Sequence, residues 1–289
     1  MERLRRSMMF VPGNNPGKLQ TAGIYGADSV IFDLEDAVAV TEKDAARHLV
    51  YQAIRDLRYP CEVAVRVNHI LTPFGREDLR QVLPAKPDLI RLPKAEAAQE
   101  IKDVDEIISE AESKHNFAPG TIQMGAAIET AKGLRQAYAI ASASPRMAFI
   151  AIGGEDFIAD LKTTRSKEGW ELFEARSQLV LAAREAGIQA IDTVFSDVND
   201  EETFIAEATR IKGLGFDGKS VINPRQVQLM HRVFQPSEQE VAHARRVLTA
   251  YREALEKKSG VIALDGKMID SPIVIRAQRV LAYAQAVKK

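Results

Sequence analysis

Short apolar runs recur along this chain, each ending in polar or turn residues and each followed by a longer stretch of helical period. Few folds tolerate that rhythm. Such runs read as strands buried on both faces, and parallel strands need a crossover, usually a helix, between them. Eight candidates stand in order, at residues 7–11, 29–33, 62–67, 89–92, 123–128, 148–152, 189–191 and 219–222. Eight repeated βα units favour closure into a (β/α)8 TIM barrel over an open sheet. The 289 residues suit that reading, since a barrel takes roughly 250 and leaves a remainder. We expect residues 1–235 to form the barrel. Residues 236–289 would form a helical and hairpin extension that packs on the barrel or on a neighbouring subunit, because no low-complexity linker sets off a second domain.

The intervening helices are legible by spacing. Between residues 41 and 57, Ala46, Leu49, Val50, Ala53, Ile54 and Leu57 recur at three- and four-residue intervals, and Thr41 followed by Asp44 supplies a start signal. Longer helices are expected at 96–115 and 166–186, the latter capped at Gly187. In the extension a helix fits 236–258. The Asp265-Gly266 pair between apolar residues signals a hairpin across 261–270. A last helix fits 272–287, with Ile275, Val280, Leu281 and Ala284 on its apolar stripe.

Charge narrows the function. With 39 Lys and Arg against 40 Asp and Glu, no overall field draws the chain to nucleic acid or anionic lipid. The five histidines lack metal-ligand spacing, and Cys61 stands alone, which excludes an internal disulfide and suits a reducing, cytoplasmic compartment. The basic start through Arg6 resembles the opening of a secretion signal, but the apolar run from Met8 to Val11 is cut short by Pro12-Gly13, so no targeting segment is expected. Nor does any stretch reach the roughly 20 apolar residues of a membrane helix.

In barrels the active site lies at the C-terminal ends of the strands, and here those ends are charged. The second run closes on Asp33-Leu34-Glu35-Asp36, the third on Arg66-Val67-Asn68, the fifth on Glu129 and the sixth on Gly153-Gly154-Glu155-Asp156. Glu129 follows an apolar run, where an unpaired carboxylate is costly unless a cation or donor meets it. Asp156 follows the next strand. Two carboxylates completed by water and substrate oxygens suit Mg2+; the plainer reading makes them helix caps or partners of an Arg. Arg66 is shaped to grip a substrate carboxylate with two parallel bonds, or, more plainly, to pair with Glu35 or Asp36. The glycines Gly125, Gly153 and Gly154 would allow a ligand close to the backbone. No nucleotide-binding fingerprint occurs. Lys94 and Lys219 raise a rival chemistry through a Schiff base, although neither sits in an apolar run that would desolvate its amine.

One series of motifs resembles a known family. Arg6-Ser7-Met8-Met9-Phe10-Val11-Pro12-Gly13, Phe32-Asp33-Leu34-Glu35-Asp36-Ala37-Val38, Val65-Arg66-Val67-Asn68, Ile90-Arg91-Leu92-Pro93-Lys94, Ala127-Ile128-Glu129, Gly154-Glu155-Asp156, Gly218-Lys219-Ser220-Val221-Ile222-Asn223-Pro224 and Gly266-Lys267-Met268-Ile269-Asp270 are similar, in order, to those of citrate lyase β subunits. The resemblance implies a lyase that splits citryl-acyl carrier protein into oxaloacetate and acetyl-acyl carrier protein, with Mg2+ as cofactor. It implies that Glu129 and Asp156 hold the metal and that Arg66, together with Glu129, holds the substrate. It further implies a homotrimer in which Asp270 of one subunit assists proton transfer in the next; Glu35 and Asp36, among the charged strand ends, are the reserve acid/base candidates. Implied partners are the acyl carrier protein and acyl-transferase subunits of a citrate lyase complex, with a small-molecule thioester as substrate. The segment Thr130-Ala131-Lys132-Gly133 departs from the Ser-Pro continuation familiar after the metal-binding glutamate. Two other readings stand beside this one: a free-standing lyase for malyl-CoA or citramalyl-CoA, and a scaffold subunit that binds metabolites without catalysis.

Overall fold

The computed structural model describes residues 3–256, 263–265 and 267–286. All eight expected strands form, as β1 Ser7–Pro12, β2 Ser29–Asp33, β3 Glu62–Arg66, β4 Leu89–Leu92, β5 Gln123–Ile128, β6 Met147–Ile152, β7 Gln189–Asp192 and β8 Gly218–Val221. Neighbours pair in parallel, and β8 returns to β1 through Ser7 beside Lys219, so the sheet closes into a barrel. Helices fill the crossovers, among them Lys43–Asp56, Ala98–Lys114 and Glu201–Leu214.

Alternate residues of a strand point to opposite faces, and the inward set here packs Met8, Ile31, Ala64, Leu89, Phe149, Ala151 and Ile191 into one core cluster. The same period carries Asp33, Arg66 and Arg91 inward, each lying two residues beyond a member of that cluster. The register places them side by side, Asp33 opposite Arg66 and Arg66 opposite Arg91. At the other end of the strands Arg5 closes the barrel floor. Its guanidinium meets Glu62 twice at 2.7 Å and reaches Gln123 and Gln189 at 2.8 Å. Arg6 pairs with Asp28. The basic start of the chain is therefore, in part, a buried plug.

Two helix expectations need correction. The segment 166–186 is not one helix: a 3-10 turn Trp170–Leu172 precedes the helix Phe173–Glu185, and Gly169 ahead of them takes φ 68. Gly169 breaks the helical path, and Arg165 just before the segment is bonded to Glu155, Glu207 and the Val194 carbonyl. Gly187 does cap the helix in the left-handed region, at φ 72. Thr41 is no helix start, because it lies inside the 3-10 turn Val40–Glu42 and the helix begins at Lys43.

The chain divides into two compact units, Met1–Val233 and Phe234–Lys289. In the second, the helices Glu238–Glu256 and Ser271–Ala286 pack around Ala244, Val247, Ile269, Val274 and Ala277. Between them Ala263–Leu264 pairs antiparallel with Lys267–Met268, the hairpin read from Asp265-Gly266. Val261, Ile262, Gly266, Lys257, Lys258 and Val287, which the sequence reading also assigned, lie outside the described residues. Ile275 was placed on the apolar stripe but is 60% exposed, and Val274 and Ala277 are the buried positions. Among the described residues no helix is long and apolar enough to cross a membrane.

Candidate active site

The C-terminal mouth of the barrel opens into a cavity of about 360 Å³ lined by Phe10, Asp33, Asp36, Arg66, Arg91, Glu129, Asp156, Thr193 and Ser220, among others. Four of the six residues singled out from sequence, Asp36, Arg66, Glu129 and Asp156, thus meet in one space. Glu35 lies just behind it, bonded to Lys94 and beside Arg66.

Arg66 is fixed by a partner that sequence reasoning had not chosen. Its Nε and Nη2 donate to the two oxygens of Asp33, both at 2.7 Å, while Nη1 stands 2.7 Å from Glu35 and 3.5 Å from Asp36. Asp33 is itself locked, since its oxygens also accept from the backbone N–H groups of Glu35 and Ala37. Burial works against the Arg66 charge, but the Asp33 carboxylate outweighs it and holds the guanidinium above its ordinary value. Burial raises Glu35 above the usual carboxylate range despite Arg66 and Lys94. For Asp36 burial is milder, and Arg66 and Lys94 outweigh it to hold the carboxyl low. The loop that carries these acids is pinned by Lys43, whose Nζ donates to the Leu34 and Glu35 carbonyls at 2.7 Å.

Glu129 is 3% exposed, and its Oε2 is buried with no hydrogen-bond partner. Burial, then the nearby Glu35 and Asp156, push its carboxyl up to about 8. Gly153 makes room for it: a Cβ there would sit 2.5 Å from the Glu129 Cγ. The glycines flagged in the sequence thus admit side chains in place of a ligand, because Phe149 fills the space beside Gly125 and Thr193 the space beside Gly154. Asp156 sits in the first turn of the helix Gly154–Asp160, on the exposed rim of the cavity. An orphaned buried carboxylate facing a second carboxylate fits a hard divalent cation, which retains several waters and needs few protein ligands. Among the described residues no group of three or more His, Cys, Asp or Glu could hold a metal, so water or substrate oxygens would have to complete the coordination.

Residues 6–224 match the HpcH/HpaI aldolase/citrate lyase family. The chain belongs to that family. Citrate lyase subunit beta of Leuconostoc mesenteroides subsp. cremoris is 50% identical over 286 residues, covering 99% of this chain and 95% of that protein. The solved CitE of Mycobacterium tuberculosis in complex with magnesium, acetoacetate and coenzyme A is 33% identical, with a TM-score of 0.78 over 99% of this chain and 100% of that one. A citrate lyase beta subunit from M. tuberculosis complexed with oxaloacetate and magnesium is 30% identical, with a TM-score of 0.69 over 81% of this chain and 98% of that one.

In this member of the HpcH/HpaI family both lysines of the rival chemistry are engaged. Lys219 is wholly buried, contrary to the sequence reading, yet its Nζ is held at 2.6 Å by both Asp192 and Glu207. The burial invisible in the sequence comes from the barrel wall, and both carboxylates bond the amine, so its donors are already spent. Burial draws the Lys94 ammonium down, but Glu35 at 2.5 Å outweighs it and holds it up. Asp270 belongs to the second unit, exposed at the start of the helix Ser271–Ala286, where it accepts from the Ile273 N–H at 3.2 Å. Two further residues of the mouth were named in the sequence reading but given no role. That of Asp33 follows only from register, and that of Arg91 only from its sharing the inward face with Arg66.

Proposed function

We propose that this protein is a Mg2+-dependent carbon-carbon lyase that cleaves citryl-acyl carrier protein to oxaloacetate and acetyl-acyl carrier protein, as the β subunit of a citrate lyase. The observation that carries this reading is Glu129, a buried carboxylate lacking a partner at a mouth that also holds Asp156 and a clamped guanidinium. Glu129 and Asp156 would hold Mg2+. When bound, the ion supplies a Lewis acid that eases loss of the substrate hydroxyl proton and steadies charge on the departing oxo acid. Arg66, kept rigid by Asp33, orients a carboxylate of the substrate. Loss of the hydroxyl proton drives cleavage of the bond to the thioester α-carbon, which keeps the electron pair as an enolate and is then protonated. Asp270 from a neighbouring subunit of a homotrimer is our first choice for that proton transfer, with Glu35 and Asp36 next. Residues 1–235 would be the catalytic barrel, and 236–289 the extension that delivers Asp270. Carrier and transferase subunits would complete a cytoplasmic complex.

The test is cleavage of citryl-acyl carrier protein by purified protein with Mg2+ and with EDTA. Activity that survives EDTA undiminished would overturn the mechanism. A second reading keeps the chemistry and changes the carrier to coenzyme A, favoured by the coenzyme A bound in the M. tuberculosis relative. Equal rates on citryl-CoA and the carrier-protein substrate would favour it.

A further inference from the structure

Five arginines are buried among the described residues: Arg5, Arg6, Arg47, Arg91 and Arg176. Four face a carboxylate. Arg5 has Glu62, Arg6 has Asp28, Arg47 has Asp78 and Arg176 has Asp192, at 2.7 to 3.1 Å. Arg91 has none. Its hydrogen bond among the described residues runs from Nη1 to the Ser220 hydroxyl at 3.1 Å, and its Nε is buried without a partner. The rings of Phe10 and Phe149, 5.0 and 5.9 Å from its Cζ, pack against it.

Glu129, Asp33 and Glu35 act on Arg91 only across space. A buried cation with no anion in contact is expensive, and a neutral side chain of similar volume would make the fold more stable. Arg91 lines the same cavity as Arg66 and Glu129. Arg66 is already occupied by Asp33 and Glu35. Of the two guanidiniums on that face, Arg91 is therefore the one with donors to spare, and the ligand it lacks is an anion that comes from outside the chain.

We propose that Arg91 binds a second free carboxylate of the substrate, so that the site selects thioesters whose released oxo acid is a dicarboxylate. The inference rests on the lyase reading above. Citryl thioesters release oxaloacetate, with two carboxylates. Malyl and citramalyl thioesters release glyoxylate and pyruvate, with one. Arg91 thus discriminates between the substrate classes that metal and Arg66 alone treat alike. A site built to meet a charged group rejects the analogue that lacks it far more strongly than an apolar pocket rejects a missing methylene.

Pyruvate is oxaloacetate without the second carboxylate, which makes the pair a direct probe. Calorimetric titration in Mg2+ buffer should show wild-type protein binding oxaloacetate at least about 30-fold more tightly than pyruvate, the scale of one charged hydrogen-bonded contact. Arg91→Met should weaken oxaloacetate by about that factor and change pyruvate by about threefold or less, and Arg91→Lys should fall between. Equal affinity of the wild type for both acids would overturn the proposal, as would an equal loss for both in Arg91→Met. Should Arg91→Met not fold, judged by circular dichroism, the wild-type ratio and its reduction in Arg91→Lys decide the question. A protein that keeps the oxaloacetate preference yet never cleaves citryl thioesters would defeat the lyase reading and leave this selectivity standing.

Discussion

The two ends of the barrel handle buried charge in opposite ways. At the N-terminal end Arg5 and Glu62 share two bonds of 2.7 Å, and Gln123, Gln189 and Ser29 take up what remains. At the C-terminal end Glu129 and Arg91 are as deeply buried, and each keeps an atom with no partner. A network that is fully satisfied rigidifies a fold; one left incomplete destabilises it unless something arrives to finish it. The floor of this molecule is built for stability and the mouth for a visitor. The Lys219, Asp192, Glu207 and Arg176 cluster in the barrel wall belongs with the floor, for its charges too are matched by partners within the chain, Arg165 among them.

Breaking either end should have effects of different kinds. The largest is expected at the mouth, where Glu129→Gln should cut citryl thioester cleavage by about 10⁴-fold, as for loss of a metal ligand, with the far-ultraviolet circular dichroism unchanged. The floor should answer in stability. Glu62→Gln leaves the Arg5 charge buried and half-matched, and should cost about 4 kcal/mol in urea denaturation while the folded protein keeps its kcat within about twofold. A larger loss of kcat there would dissolve the distinction between the ends.

Acidity sharpens the comparison further. Glu129 is pushed up to about 8 when folded, from an ordinary 4.5. Its neutral form is favoured in the fold, so the stability it contributes is full below pH 4.5 and is lost as pH rises through 8. In EDTA, wild type should lose about 5 kcal/mol relative to Glu129→Gln across that window, and Mg2+ should restore it. Equal pH slopes for the two proteins in EDTA would remove Glu129 from its place. The smallest effect is expected at Gly153. Gly153→Ala would push a methyl against the Glu129 side chain and should weaken Mg2+ binding about tenfold in titration, at a cost near 1.4 kcal/mol.

The strands were legible because barrel strands announce themselves by length and apolar content, and no bound differs by more than one residue; closure was inferred from their number alone, and the pairing of β8 with β1 supplies it. The place of Arg66, Glu129 and Asp156 at the mouth was legible because they end or closely follow such strands. Asp33 was not, since its role depends on standing opposite Arg66 across the sheet. Arg91 was quoted in a motif yet given no task, because lacking a partner is a property of three-dimensional neighbours. The helix expected over 166–186 failed at Gly169, whose φ of 68 breaks the helical path ahead of the turn Trp170–Leu172. The burial of Lys219 beside Asp192 likewise follows from the register of β7 and β8.

Phe10 packs against both guanidiniums, with the Arg66 Cζ 4.8 Å and the Arg91 Cζ 5.0 Å from its centroid. An aromatic ring attracts a cation, so one flat side chain serves as a shared cushion for two charges that would otherwise drive each other apart. Replacing it with an aliphatic residue of equal bulk would preserve the shape of the mouth and set its two hooks quarrelling.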